Sequence, residues 1–436
     1  MTVHPLVSGR IMGRVSIIDT TSRTVSPVDV EAAFVRLRSL IRESPLLRSE
    51  RLSRRTGANV WVKREDLQPV RSYKLRGAYN LIAQLDADER GRGVVCASAG
   101  NHAQGFAFAC ASFGIDGRVY VPRTTPRQKR DRIASLGEGR VEIIVAGEAY
   151  DDAAAAAQAD AAQTGAVLVP AFDHPDTIAG QGTMAVEIVE QLGHAPDILV
   201  IPVGGGGMLA GCITWLQARH PRTTIVGAEP LGAASMAAAV EAGQPLELDD
   251  IETFVDGAAV RRAGDLTYPI VRDAQVQLVA VDEGRICTEM LDLYQVDGII
   301  AEPAGALASA ALLDQIDVQP GQDVVVVLSG GNNDVSRYAE IVERSLVNEG
   351  RKHYFLVNFP QEPGALRRFL GEVLGPDDDI ALFEYVKRSN RETGPALVGI
   401  ELGNPDTLEA LLRRMEETQM VVERIPPDSS LYRYLV

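Results

Sequence analysis

From about residue 93 the chain alternates short apolar runs with longer stretches of helix-forming sequence. Residues 93–99, 118–121, 141–145, 166–170, 198–203 and 224–228 read as strands, 324–328 is one more of the same kind, and 298–301 reads as a short apolar strand before Glu302. Residues 101–113, 126–136, 150–163, 177–191 and 209–219 between them read as helices. The alanine-rich stretch 150–163 is explained by helix propensity, and Asp151 and Asp152 in its first turn suit the helix dipole. Strands apolar at nearly every position, separated by helices, predict a mostly parallel sheet covered on both faces.

The pattern changes near residue 350, after a polar, charged stretch at 342–352. The remainder predicts a strand (353–359), a turn (360–364), a helix (365–374) and an acidic turn (377–379). A strand (380–386), a turn (390–394), a strand (396–401), a helix (407–418) and a short strand (420–425) complete it. This is a βαββαβ order, the ferredoxin-like arrangement, and it predicts a separate domain.

Composition narrows the function. The 436 residues are 46% hydrophobic and 23% charged, which is ordinary for a large globular chain with two or three domains. A formal net charge of -16 argues against general nucleic-acid binding. Residues 1–20 carry no continuous apolar segment, so no secretory signal is expected, and no apolar run is long enough to span a bilayer. Cys96, Cys110, Cys212 and Cys287 lie apart among apolar or small neighbours, as core thiols of a reducing cytoplasm do.

Four short segments carry chemistry. Lys74 stands just before the helical pattern 75–85, where a cation is poorly placed in the helix dipole but a neutral, nucleophilic amine is favoured. Gly204, Gly205, Gly206, Gly207 and Met208 lie between a buried strand and a helix, so bare backbone and free helix-start amides can cup a phosphate. The lysine and hydroxyl residue of a nucleotide P-loop are missing and the spacing is not G-x-G-x-x-G, which disfavours a nucleoside triphosphate or dinucleotide. Ser98, Asn101 and His102 occupy a second strand-to-helix turn, either as helix capping or as a grip on an anion or phenolic oxygen. Ser329 follows the strand 324–328, where open α/β sheets place their ligands. A lysine nucleophile, a phosphate cup, an asparagine and a serine match pyridoxal 5'-phosphate. The histidines show no ligand spacing, so no metal is expected.

Residues 60–350 resemble the fold-type II, tryptophan synthase beta-like pyridoxal-phosphate enzymes, and among them the biosynthetic threonine dehydratases (threonine ammonia-lyases). Segments 63–78, 98–105, 204–208, 302–306 and 329–332 carry the likeness in the family's order. Residues 352–425 resemble that family's ACT-like regulatory domain. The resemblance implies an α/β fold with two open parallel-sheet catalytic domains, residues 1–90 with 190–345 and residues 91–189, followed by an ACT-like domain at 346–436. It implies that Lys74 holds the cofactor and then takes the substrate's Cα proton. Asn101 would face the phenolic oxygen, Gly204 to Met208 the phosphate, and Ser329 the pyridine nitrogen. Ser98, Asn101 and His102 would lie at the substrate, with Glu302 and Gly257 behind the ring.

The implied reaction is dehydration and deamination of L-threonine to 2-oxobutanoate and ammonia, with weaker turnover of L-serine. It would be the first step of isoleucine biosynthesis, inhibited by isoleucine and opposed by valine, in a cytoplasmic homotetramer. Similar serine racemases have a second serine where this chain has Ala99, and an aspartate where Ser235 stands six residues after Glu229. Racemisation and a divalent-ion site are therefore disfavoured, leaving Glu229 a structural or monovalent-cation role. The competing readings are a catabolic serine/threonine dehydratase and a cofactor-bearing amino-acid sensor without turnover.

Overall fold

The fold is described from a computed structural model, for residues 23–385, 392–418, 420–426 and 429–435. The larger of three sheets runs Leu46–Arg48, Asn59–Arg64, Asp323–Leu328, Ile198–Pro202, Thr224–Pro230 and Gln277–Val281. Its first pair is antiparallel and the other four pairings are parallel, with Val326 beside Val62 on one side and Val200 on the other. The strands Asp323–Leu328 and Ile198–Pro202 are apolar because both faces are covered by helices. A smaller, wholly parallel sheet has the order Val141–Val145, Gly117–Val121, Val94–Ala97 and Val167–Leu168.

Two helices tie these sheets together. The helix Lys74–Ala83 buries Leu75, Tyr79 and Ile82 in a cluster with Cys96, Phe106 and Val119 of the smaller sheet's layer. The helix Pro175–Leu192 starts on His174 and Pro175 and ends at Gly193, whose φ of 81° a glycine adopts without strain. It puts Ala179, Met184, Ala185 and Ile188 into the core of the larger sheet with Leu199 and Ile201. It crosses the helix Gly207–Arg219 at two glycines: a Cβ on Gly182 would stand 2.7 Å from the Gly211 carbonyl oxygen, and one on Gly211 would overlap the Ile178 carbonyl. Only bare backbone lets the two helices approach this closely.

The third sheet is antiparallel throughout, in the order Asp379–Tyr385, Thr393–Glu401, Lys352–Pro360 and Val421–Ile425. The helices Ala365–Glu372 and Leu408–Glu417 complete the expected βαββαβ unit around Phe355, Val357, Phe369, Val398 and Ile400. The end of the strand expected to reach residue 386, the start of the turn expected at 390, and the segment 1–20 lie outside the described residues.

One local expectation is corrected, and one helix is new. Residues 298–301 read as an apolar strand, yet they form an irregular connection. Gly298 takes φ 68°, the Ile299 amide returns to the Leu293 carbonyl, and Ile300 lies 45% exposed, so the run never joins a ladder. The polar stretch 342–352 holds most of a further helix, Tyr338–Asn348. It buries Ile341 and Ser345, and the Ser345 hydroxyl meets Thr288 Oγ1 of the helix Glu283–Gln295 at 3.0 Å. Its Glu343 accepts from Lys352 Nζ and, at 2.5 Å, from Tyr354 Oη in the first strand of the third sheet. Cys96, Cys110, Cys212 and Cys287 are buried free thiols.

Candidate active site

The carboxyl ends of the two parallel sheets converge on Lys74, where ligands of open α/β sheets bind. Lys74 is the first residue of its helix, and its Nζ lies 3.3 Å from the Ala171 carbonyl and over the Tyr73 ring. The segment before it is fixed to the turn after Asp323–Leu328. The Tyr73 amide donates to the Ser329 carbonyl at 3.0 Å, and the Gly331 amide donates to the carbonyl of Arg71, whose φ is 56°. That pairing seats Ser329 against the lysine loop, and the Ser329 hydroxyl contacts the Ala304 carbonyl at 3.1 Å.

The glycine segment stands at the end of Ile198–Pro202 and opens Gly207–Arg219. Helix-start amides have no carbonyl of their own helix to bond. Gly206 takes φ 90°, and a Cβ on Gly205 would overlap the Phe172 ring. Side chains are excluded from this loop, so its backbone is left bare for an anion. The Met208 side chain is part of the hydrophobic core, so only its backbone faces the loop.

Asn101 begins the helix Asn101–Phe113. Its Nδ2 donates to Glu302 Oε1 at 2.6 Å, and its Oδ1 accepts from Asn332 Nδ2 at 2.8 Å. These two bonds fix the amide orientation and leave one Nδ2 hydrogen free. Glu302 is buried among amides, and desolvation, with the nearby Asp256 charge adding to it, pushes its carboxyl up to about 7. Gly257 packs beside it: a Cβ there would stand 2.9 Å from the Ala304 methyl and 4.0 Å from the Asn101 amide nitrogen.

Ser98 and His102 are placed differently from the rest. The Ser98 hydroxyl accepts from the Gly100 amide at 3.2 Å, within its own turn. The His102 ring is buried with Nε2 2.8 Å from the Val169 carbonyl, and burial, with the Lys74 charge adding, lowers it to about 4. Glu229 uses both carboxylate oxygens on the amides of Met236 and Ala237, capping the helix Ser235–Ala242, and burial raises it to about 7.

Several neighbouring side chains, some within the same segments, take no role from the sequence alone. Asn332 orients Asn101. Beneath the lysine helix, Arg76 and Lys63 meet Glu65 and Glu187 in a buried network. Among the described residues, the buried atoms Ser72 Oγ, His102 Nδ1 and Gln181 Oε1 find no hydrogen-bond partner. Unpaired polar atoms, a cradle that a Cβ would fill and a lysine amine together fit an aldehyde-bearing phosphate ester.

A lysine, a glycine cradle and an amide-oriented asparagine at the ends of two parallel sheets define a pyridoxal-phosphate dependent enzyme of fold type II. The family model described as pyridoxal-phosphate dependent enzyme matches residues 37–330, and that of the C-terminal regulatory domain of threonine dehydratase matches 343–435. The chain is 60% identical over 415 residues to the L-threonine dehydratase biosynthetic IlvA of Mycobacterium tuberculosis (strain ATCC 25618 / H37Rv), covering 95% of this chain and 96% of the relative. It is 47% identical over 405 residues to that of Bacillus subtilis (strain 168), covering 93% and 96%. Among solved structures, the processed form of threonine deaminase isoform 2 from Solanum lycopersicum superposes with a TM-score of 0.69 at 35% identity, covering 74% of this chain and 96% of that one. The chain belongs to the biosynthetic L-threonine dehydratase family, with a regulatory domain at its C-terminal end.

Proposed function

We propose that the chain converts L-threonine to 2-oxobutanoate and ammonia, with weaker turnover of L-serine, as the first step of isoleucine biosynthesis. The observation that carries this reading is Lys74 Nζ at the Ala171 carbonyl, between the glycine cradle and the turn of Ser329. Lys74 would hold the cofactor by its aldehyde, and its amine is the base placed to remove the substrate's Cα proton. Gly204, Gly205, Gly206, Gly207 and Met208 hold the phosphate through backbone amides. Asn101 donates its free Nδ2 hydrogen to the phenolic oxygen, oriented by Glu302 and Asn332 with Gly257 alongside. Pyridoxal phosphate, when bound, supplies the electron sink. Ser329 would meet the ring nitrogen with an uncharged hydroxyl, so the sink would be weaker than one held by a carboxylate, which suits prompt loss of the β-hydroxyl. Ser98, Asn101 and the amides after it bind the substrate carboxylate, while His102 orients that turn from its bond to Val169.

The domain division is part of the same proposal: 1–90 with 190–345, 91–189, and 346–436. The regulatory domain is proposed to bind isoleucine as inhibitor and valine as its opponent, in a cytoplasmic homotetramer. Among the described residues, no helix is long and apolar enough to cross a membrane.

Release of 2-oxo acid from threonine tests the reaction. Lys74→Ala is expected to lower the rate by about a hundredfold or more. Unmodified protein that binds pyridoxal phosphate but yields no ammonia from threonine overturns it. Isoleucine is expected to inhibit the full chain; an unchanged initial rate would leave the C-terminal domain an assembly module.

A further inference from the structure

We propose that residues 171–173 preset the glycine loop for the cofactor phosphate, with Phe172 as its back wall and Asp173 as a positioning carboxylate. This rests on the reading that Gly204 to Met208 hold that phosphate. The three residues leave the carboxyl end of Val167–Leu168 and precede the helix Pro175–Leu192. Each faces a different part of the site.

The Ala171 carbonyl accepts from Lys74 Nζ at 3.3 Å and from Gln181 Nε2 at 3.2 Å. The Phe172 ring lies where a Gly205 side chain would be, and a Cβ on Gly207 would come within 2.9 Å of Phe172 Cβ. The Asp173 carboxylate accepts from the amides of Asp265 and Leu266, both at 2.9 Å, and of Thr267 at 3.3 Å. From the same turn, Thr267 Oγ1 donates to the Gly205 carbonyl at 2.6 Å, and the Gly264 amide reaches that carbonyl at 3.4 Å. Asp173 and Gly205 are thus fixed to opposite sides of one turn.

Four successive glycines lose more backbone freedom on ordering than any other tetrapeptide. A loop of this kind left to itself would pay that cost when the phosphate binds. Pinned beforehand through Thr267 and walled by Phe172, it meets the phosphate already ordered, and affinity rises accordingly. The segment also carries Lys74's carbonyl partner, so the aldehyde end and the phosphate end are set by three consecutive residues. Asp173 acts at the phosphate end only.

Full-length protein stripped of cofactor, titrated with pyridoxal phosphate and separately with pyridoxal, tests this by the absorbance of the lysine adduct. Asp173→Ala is expected to weaken pyridoxal phosphate binding by about tenfold or more, since a carboxylate bonded to three amides is lost. Pyridoxal, which lacks the phosphate, is expected to bind within about twofold of the unmodified protein. Asp173→Asn, which keeps one acceptor, is expected to fall between, and the stripped proteins to melt at similar temperatures. Phe172→Leu, which removes no hydrogen bond, repeats the test should Asp173→Ala not fold. Equal affinity for pyridoxal phosphate in variant and unmodified protein overturns the proposal, as does an equal loss for both ligands. Failure of the unmodified protein to bind pyridoxal phosphate overturns the cofactor assignment itself, a different result.

Discussion

Two buried polar assemblies flank the lysine loop, and they hold their carboxyls in opposite states. In the first, Arg76 bonds Glu187 through both terminal nitrogens at 2.7 Å, and bonds Glu65 at 2.8 and 3.0 Å. Lys63 adds bonds to Glu187 and the Ser44 carbonyl at 2.7 Å and to Gln191 at 2.8 Å. Two cations meet two carboxylates. Burial alone would raise Glu187, yet Arg76 and Lys63 outweigh it and hold the carboxyl at about 2. In the second assembly Glu302 is buried with Asn101 and the Asn332 backbone, and it makes no ion pair among the described residues. Its carboxyl rises to about 7. The lesson is that burial does not fix the charge of a carboxyl; its partners do. The paired network is a permanent clamp on the strand Asn59–Arg64 and the helices Lys74–Ala83 and Pro175–Leu192. The amide-bound carboxyl beside Asn101 can change its charge near neutral pH.

The contrast breaks most readily at Arg76. Arg76→Met leaves Glu65 and Glu187 buried with one cation between them, and urea unfolding is expected to show a loss of about 3–5 kcal/mol. A loss below about 1 kcal/mol would mean that the network clamps nothing. Glu302→Gln sharpens the other side. A carboxyl raised from its ordinary 4.5 to about 7 binds more protons folded than unfolded, so its contribution is complete at acid pH and is lost as pH climbs through that window. The slope is at most about 1.4 kcal/mol per pH unit. Glutamine cannot ionise, so the difference in stability between variant and unmodified protein should change across this window and level off above it. A pH-independent difference would mean that Glu302 does not titrate there. The smallest effect belongs to an exposed pair, Lys129 Nζ and Asp256 at 2.8 Å. Lys129→Met should cost less than about 1 kcal/mol and lose even that in high salt; a larger, salt-insensitive loss would place this pair with the buried clamp.

Much of the candidate site is legible in the chain because glycines and polar residues interrupt apolar strand-and-helix alternation at sheet ends. Lys74, Asn101, Ser329 and Gly204 to Gly207 all stand at such interruptions. Partners from distant segments are not legible this way. Arg76 and Glu187 are 111 residues apart, and Asn332 meets Asn101 across 231. Nothing local marks an arginine as buried until both carboxylates arrive. Apolarity misleads at 298–301 because exposed Ile300 looks like a strand residue in one dimension. The helix Tyr338–Asn348 is obscured for the opposite reason: its polar side chains serve neighbours, with Glu343 taken by Lys352 and Tyr354.

The glycine crossing of Pro175–Leu192 over Gly207–Arg219 has a consequence for variation. A library randomised at Gly182 and Gly211 should return glycine at both sites under any selection for growth without isoleucine. Each methyl added there would push apart two backbones, one leading back to Asp173 and the other to the glycine loop before Gly207–Arg219. Most other positions of these helices are buried and held by side-chain packing, which tolerates swaps of similar volume, so natural variants should differ in apolar side chain there while keeping glycine at these two points.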